Sequence, residues 1–415
     1  MHTVGVIAEY NPFHTGHSYH LEKAKEISGA DYAVVVMSPD FVQRGEPAIF
    51  DKYTRTRMAL QNGADLVIEL PVCYATGSAE YFAQGAVALL DRLGITDTLC
   101  FGGESDDTGL FYRTAGILLS EPDAYAQELR RLLKEGKTYP QARSRALAEY
   151  FSQETSGCPA HEFQEFLSTP NNILGIEYCK ALLSMNSRIS ALSLRRNGSG
   201  YGSLALEGSY CSATALRGGI LEGCSEKSLF RYIPGNCREL FRKAAENPRT
   251  PEELTSCLME KLLSEDSYDH ILDITPELSD RIRSLRFFCI GKSFDETVAL
   301  LKTKQITEAR IRRALLHLIL GIRTDTVESF RSRGTVYYAK ALGFRRETAP
   351  LLHSLKEKSS LPFITKNARA LDILQGPGRQ MWEMDLFASH LYRGLAANQS
   401  HTPFRSEYEI SPVII

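Results

Sequence analysis

The chain has 415 residues, 43% of them hydrophobic and 24% charged, with 48 Lys+Arg against 50 Asp+Glu and a formal net charge of -2. That much apolar material exceeds one ordinary core and predicts at least two packed units. The balanced charge excludes a globally basic coat for nucleic acid and gives no sign of disorder.

No apolar run reaches the ~18 residues that a membrane-crossing helix needs. Met1 to Tyr10 carries no basic cap and reads as a first strand, not as a signal peptide. The nine cysteines are scattered, odd in number and never in a C-x-x-C pair. They predict free thiols in a soluble cytoplasmic protein and argue against structural zinc.

Thr3 to Ala8 (TVGVIA) is a nearly continuous apolar run, the pattern of a strand buried on both faces. A Pro-bearing turn follows, and Ser18 to Ser28 then places Leu21, Ala24 and Ile27 on one helical face. Tyr32 to Met37 reads as a strand, Tyr53 to Asn62 as a helix and Asp65 to Leu70 as a strand. Ser78 to Leu93 reads as a helix and Thr98 to Phe101 as a strand. The stretch from Gly109 to Glu165 is helical in pattern. Asn172 to Ser184 is a helix after Pro170, and Ile189 to Leu194 is a strand. Beyond the glycine-rich turn Gly198 to Gly202, the segment Gly208 to Arg217 loops into a short helix.

Strands alternating with helices predict a Rossmann-like α/β fold, a parallel sheet covered on both sides. The α/β unit closes near Leu221, which divides the chain into 1–221 and a mainly helical 222–415. Such sheets hold ligands at the C-terminal strand ends, where the polar clusters Glu9 to His17, Ser38 to Glu46 and Gly102 to Asp107 fall.

The first of these clusters carries most of the chemistry. His14 and His17 are three apart around a tight turn between strand and helix, and Gly16 permits close backbone approach to a ligand. The helix offers free N–H groups and its positive dipole end to an anion. Imidazoles held there could hydrogen-bond the phosphates of ATP and stabilise the charge that grows as the α-phosphorus is attacked. Such chemistry needs positioning and electrostatics, with no obligatory protein nucleophile. Two plainer readings compete: solvated histidines beside a turn, and a metal held by His14, His17 and His20. No nearby Cys completes a tetrahedral set for the second.

Asn11-Pro-Phe-His-Thr-Gly-His17 resembles the H-x-G-H signature of the nucleotidyltransferase superfamily. Ser212-Ala-Thr-Ala-Leu-Arg217 resembles its second signature, a turn that closes over the triphosphate. Five further segments sharpen the match: Phe41 to Ala48, Gly63 to Pro71, Phe101 to Glu104, Pro170 to Tyr178, and Arg196 with Gly198 to Tyr201. Together they resemble the bacterial tRNA(Met) cytidine acetate ligase family, densely through the N-terminal half and more loosely through Ala309 to His317. Pro39 departs from the small flexible residue expected after the second strand.

The resemblance implies an ATP-dependent ligase forming a carbon–nitrogen bond. It would activate acetate as acetyl-adenylate and acetylate N4 of the wobble cytidine (C34) of elongator tRNA(Met), giving N4-acetylcytidine. It implies ATP contacts along Ile7, Ala8, Glu9, Tyr10, Asn11, Pro12, Phe13, His14, Thr15, Gly16, His17, Ser18, Tyr19 and His20. Gly102, Asn171 or Asn172, Arg195 or Arg196, Ser212 and Thr214 complete the set. Mg2+ should accompany ATP. Without a D-x-D pair or P-loop, phosphate oxygens and water would coordinate it, and no protein metal ligand is assigned.

Acetate is an anion attacking a phosphate, so both partners need screening. His14 and His17, with Arg44 or Lys52, are the candidate catalytic residues. The plainer readings are an Arg44–Glu46 salt bridge and a solvated Lys52. Gln43 and Arg44 stand equally as contacts for the cytidine edge. Glu69 and Glu104 could hold histidines, receive a proton from the attacking amine, or pair with a lysine or arginine.

For RNA, the second unit offers three basic stretches: Arg281, Arg283, Arg286 and Lys292; Lys302, Lys304, Arg310, Arg312 and Arg313; Arg331, Arg333, Lys340, Arg345 and Arg346. Phe287, Phe288, Tyr337, Tyr338 and Phe344 interleave with them, as on surfaces that track phosphates and stack bases. Ordinary amphipathic helices are the competing reading. Two other functions share the signatures: an adenylyltransferase acting on a small phosphorylated substrate, and a non-catalytic nucleotide- or RNA-binding protein. No membrane and no obligate protein partner is indicated.

Overall fold

Thr3–Ala8 becomes a strand because its residues are apolar on both faces, and it ends where Glu9 and Tyr10 turn the chain. The computed structural model describes residues 1–154, 160–196 and 211–415. Cys158, the turn Gly198 to Gly202 and the stretch Gly208 to Tyr210 lie outside the described residues. The strands are β1 (Thr3–Ala8), β2 (Tyr32–Met37), β3 (Phe41–Val42), β4 (Glu46–Pro47) and β5 (Leu66–Glu69). They continue with β6 (Thr98–Gly103), β7 (Ser190–Arg195), β8 (Ala339–Phe344), β9 (Phe363–Ile364) and β10 (Val413–Ile414).

An 8-stranded sheet runs in the order β10-β8-β5-β2-β1-β6-β7, with β9 beside β8. β1 is parallel to β2 on one edge and to β6 on the other, so the winding reverses beside β1. A crevice opens at such a reversal, outside the C-terminal strand ends, and ligands bind there. The helices Thr15–Ser28, Lys52–Gln61, Ala79–Leu93 and Pro170–Ser184 link successive strands. Val34, Val35 and Val36 of β2 are buried on alternating faces, as a covered parallel sheet requires.

The sheet is mixed, not wholly parallel: β8 runs antiparallel to β5. The stretch after residue 222 is mainly helical, yet it returns β8, β9 and β10 to this sheet. Its helix Glu308–Leu320 also packs on the small β3–β4 hairpin. A Cβ at Gly45 (φ 77°) would come within 2.4 Å of the backbone of Arg312 and Arg313. Glycine is required there by both conformation and space. No helix among the described residues is long and apolar enough to cross a membrane. The eight described cysteines are free thiols.

Candidate active site

His14 caps the first helix, which is why that helix begins at Thr15, a turn earlier than the apolar spacing alone suggests. Its Nδ1 accepts from the Gly16 N–H at 3.0 Å, and its own N–H donates to His17 Nδ1 at 3.3 Å. The two rings stack with centroids 3.7 Å apart, and Tyr10 closes on His17 edge-on at 4.8 Å. A ring nitrogen that accepts a backbone N–H carries no proton of its own. Both neutral imidazoles are therefore Nε2–H tautomers, with a donor left for a ligand.

Burial, and then the Arg196 charge, push the pKa of His14 down to about 3. Burial, His14, Arg196 and His20 hold His17 well below its ordinary value. His20 falls to about 4 through burial and Arg196. A histidine buried neutral lends its full stability above the ordinary pKa of 6.5 and loses it as pH falls toward the folded-state value. The urea midpoint of unfolding is therefore expected to hold above about pH 6.5 and to drop progressively toward about pH 4. His14→Gln, which cannot titrate, should flatten part of that drop. Identical profiles for the two proteins would contradict the assignment.

These histidines open on a pocket of about 270 Å³ at the winding reversal. Ile7, Ala8, Glu9, Tyr10, Asn11, His14, Gly16, His17, Tyr19 and His20 line it from β1 and the first helix. Gln43 and Arg44 reach it from the β3–β4 hairpin, and Gly102, Asn171, Arg195 and Arg196 from β6, β7 and the helix Pro170–Ser184. Ser212, Ala213, Thr214 and Arg217 enter from the second signature. Ser212 caps the helix Ala213–Leu221 by accepting from the Ala215 N–H at 3.0 Å. Two helix N-termini thus face one pocket, a favourable place for an anion. Arg217 ties the signatures together: it donates to the Asn11 carbonyl at 2.8 Å and lies 3.6 Å from Glu46. Glu46 is thus an ion-pair partner of Arg217.

Asn171 and both arginines line the pocket, whereas Asn172 does not. Asn172 donates to the Phe166 carbonyl at 3.1 Å and accepts from the Glu104 N–H at 2.9 Å. Asn171 donates to Glu104 at 2.7 Å and accepts from Arg196 at 3.0 Å, so Glu104 orients an amide that in turn holds the arginine. At Gly102 a Cβ would crowd the Arg196 side chain at 3.2 Å. Pro12 and Phe13 of the turn and Thr15 and Ser18 of the first helix do not line the pocket. Phe13 is core.

The expectation for Lys52 is corrected. It is wholly buried away from the pocket, within 2.7 Å of Glu69, 2.8 Å of Glu407 and 3.6 Å of Asp40. Its Nζ also donates to Ser389 at 2.6 Å. Glu69 pairs in addition with Lys340 at 2.6 Å, so Glu69 serves this cluster and neither histidine. Arg55 is the residue the sequence did not mark. Fully buried, it donates to the carbonyls of Glu9 at 2.6 Å, Ser38 at 3.0 Å and Phe50 at 2.9 Å, and to that of Pro39. It fixes the ends of β1 and β2 and the path of the chain through Pro39. Phe101, Leu174, Tyr178 and Leu194 form an apolar wall; the first three fall inside the resemblance segments, which gave none of the four a role.

The basic stretches separate on inspection. Lys340 and Tyr338 are core, Arg313 pairs with Asp273 at 2.9 Å, and Arg312 pairs with Asp295 at 2.7 Å and with Glu308. Arg331 pairs with Glu80 and Glu328. Phe287 and Phe288 are 66% and 67% exposed.

A family model described as HIGH Nucleotidyl Transferase matches residues 1–407. The tRNA(Met) cytidine acetate ligase of Thermoanaerobacter sp. (strain X514) is 41% identical over 403 residues, covering 96% of this chain and 97% of that protein. That of Halothermothrix orenii is 37% identical over 433 residues, covering 100% and 99%. The crystal structure of Thermotoga maritima TmcAL bound with alpha-thio ATP is 31% identical to this chain. It covers 100% of both chains at a TM-score of 0.91.

Proposed function

The chain belongs to the tRNA(Met) cytidine acetate ligase family, and from that premise we propose how its own residues carry an ATP-dependent acetylation of tRNA in two steps. In the first, an acetate oxygen attacks the α-phosphorus of ATP, giving acetyl-adenylate and pyrophosphate. In the second, N4 of the wobble cytidine of elongator tRNA(Met) attacks the acetyl carbonyl and AMP leaves. An aromatic exocyclic amine is a weak nucleophile, so activation as a mixed anhydride supplies the reactivity and the protein supplies orientation. A wobble base lies in a loop and is splayed out at little cost.

One observation carries this reading. Asn11, His14, Gly16 and His17 of the first signature and Ser212, Thr214 and Arg217 of the second, distant in sequence, line the same pocket, and the two are joined through Arg217 and the Asn11 carbonyl. The triphosphate lies at the two helix N-termini. The Nε2–H groups of His14 and His17 donate to phosphate oxygens whose charge grows in the transition state. Arg195 and Arg196 hold the nucleotide, and the wall of Phe101, Leu174 and Leu194 receives the purine. Arg44 screens the incoming acetate. Among the described residues no group of three or more His, Cys, Asp or Glu is placed to hold a metal. Mg2+ accompanying ATP would be held by phosphate oxygens and water. Residues 222–415 contribute the surface for tRNA, and the protein acts in the cytoplasm.

Labelled acetate and ATP tested with the purified protein should give acetyl-adenylate without RNA. Label should reach RNA only with elongator tRNA(Met). AMP transfer to a small phosphorylated compound, with acetate inert, would overturn the reading in favour of an adenylyltransferase.

A further inference from the structure

The second step releases a proton, and the pocket contains few groups able to take it. The Nδ1 atoms of His14 and His17 are occupied by backbone N–H groups, and their Nε2 atoms carry hydrogen. His20 turns its Nε2 toward Cys100 Sγ at 3.8 Å. Asn171 and the arginines are not bases at neutral pH. Among the described lining residues Glu9 is the one carboxylate.

Its position suits the task. Glu9 follows the last residue of β1, at the strand end where reacting groups gather. It accepts from the Gln43 N–H at 2.9 Å, which sets it against the hairpin that brings Gln43 and Arg44 to the pocket. Arg55 pins the Glu9 carbonyl at 2.6 Å, so the residue is held from both sides.

We propose that the Glu9 carboxylate is the general base of acetyl transfer, receiving the proton of the cytidine N4 amine as that nitrogen attacks the acetyl carbon. The C–N bond forms, the bond from the acetyl carbon to the phosphate oxygen breaks, and AMP leaves with that electron pair. The proton rests on Glu9 and passes to water when product departs. Burial raises the pKa of Glu9 above the ordinary carboxylate value and makes it a stronger base than an exposed glutamate. The charged and titratable groups around it are Arg44 and Glu46 of the hairpin, Arg217 of the helix Ala213–Leu221, Arg55 and Tyr178. The arginines moderate the rise without cancelling it.

The inference rests on the two-step reading above, and the experiment separates the two. Acetate-dependent pyrophosphate release measures the first step. Single-turnover transfer from prepared acetyl-adenylate to elongator tRNA(Met) measures the second. In Glu9→Gln the second step should fall at least ~10²-fold further than the first. Transfer by the parent protein should rise with pH through one ionisation and then level, and this dependence should vanish in the variant. Equal losses in both steps would overturn the proposal, as would transfer at the parent rate. A raised Mg2+ requirement confined to the first step would make Glu9 a metal ligand and overturn it too. Should Glu9→Gln fail to fold, a flat pH profile of the parent protein would overturn the base and a rising limb would uphold it. Absence of acetyl-adenylate in the parent protein would instead sink the two-step reading itself.

Discussion

Replacing His17 by alanine is expected to suppress acetate activation by about 2–4 kcal/mol of transition-state stabilisation, a loss of roughly 30- to 1000-fold, while the protein still folds. The ring is placed with little freedom. His14 N–H occupies its Nδ1, His14 stacks on it at 3.7 Å, and Tyr10 meets it edge-on. The Nε2–H is thus a fixed donor that needs no reorganisation when charge builds on the phosphate. Its neutrality matters as much as its direction. Burial holds the ring well below its ordinary pKa, so it binds as a dipole at neutral pH and gains most when phosphate charge increases. The loss should therefore appear mainly in kcat for pyrophosphate release and less in the KM for ATP. Stacked rings also support the turn, so a melting curve must accompany the kinetics. A well-folded His17→Ala protein that activates acetate at the parent rate would remove the histidine pair from the reaction.

That prediction was legible in the sequence because the site is mostly local there. A strand, a turn and a helix N-terminus within Thr3–Ser28 bring His14 and His17 together by their own geometry. The resemblance also implied that Ser212 to Arg217 lies beside the first signature, and Arg217 bonds the Asn11 carbonyl. What failed to show depends on partners far along the chain. Lys52 reads as a candidate beside the site because it is a positive charge that follows the end of the second strand. Its actual partners include Ser389, 337 residues away, and Glu407. The strand β8 was hidden for a related reason. Its sequence AKALGF is interrupted by Lys340, which looks like part of a basic surface and is instead buried on Glu69 and Glu407. Arg55 resembles any helical arginine until the carbonyls of Glu9, Ser38 and Phe50 converge on it. In each case the charge was visible and the long-range partner that buries it was not.

Lys52→Met is accordingly expected to cost about 3–5 kcal/mol of folding stability, read as a lowered urea midpoint at unchanged slope. Asp40, Glu69 and Glu407 stand around Lys52, Lys340 and Arg393, three acids against three bases, and all but the part-exposed Arg393 have almost no access to water. Glu69 and Glu407 keep Lys340 after the substitution, but the cluster is left with one uncompensated negative charge. Methionine fills much of the volume of the lysine stem, so the loss is electrostatic and not a cavity. Two consequences separate it from a packing defect. A carboxyl forced to take up a proton in the folded variant has its pKa raised above the unfolded value. It therefore stabilises the variant below the unfolded pKa and ceases to do so as pH rises through the folded value. The deficit of Lys52→Met should accordingly grow as pH rises above the ordinary carboxylate pKa of about 4. Adding Glu407→Gln removes the excess charge and should restore part of the stability, giving a non-additive pair. A deficit independent of pH, with additive effects in the double variant, would mean that the cluster stabilises through shape and not through balanced charge.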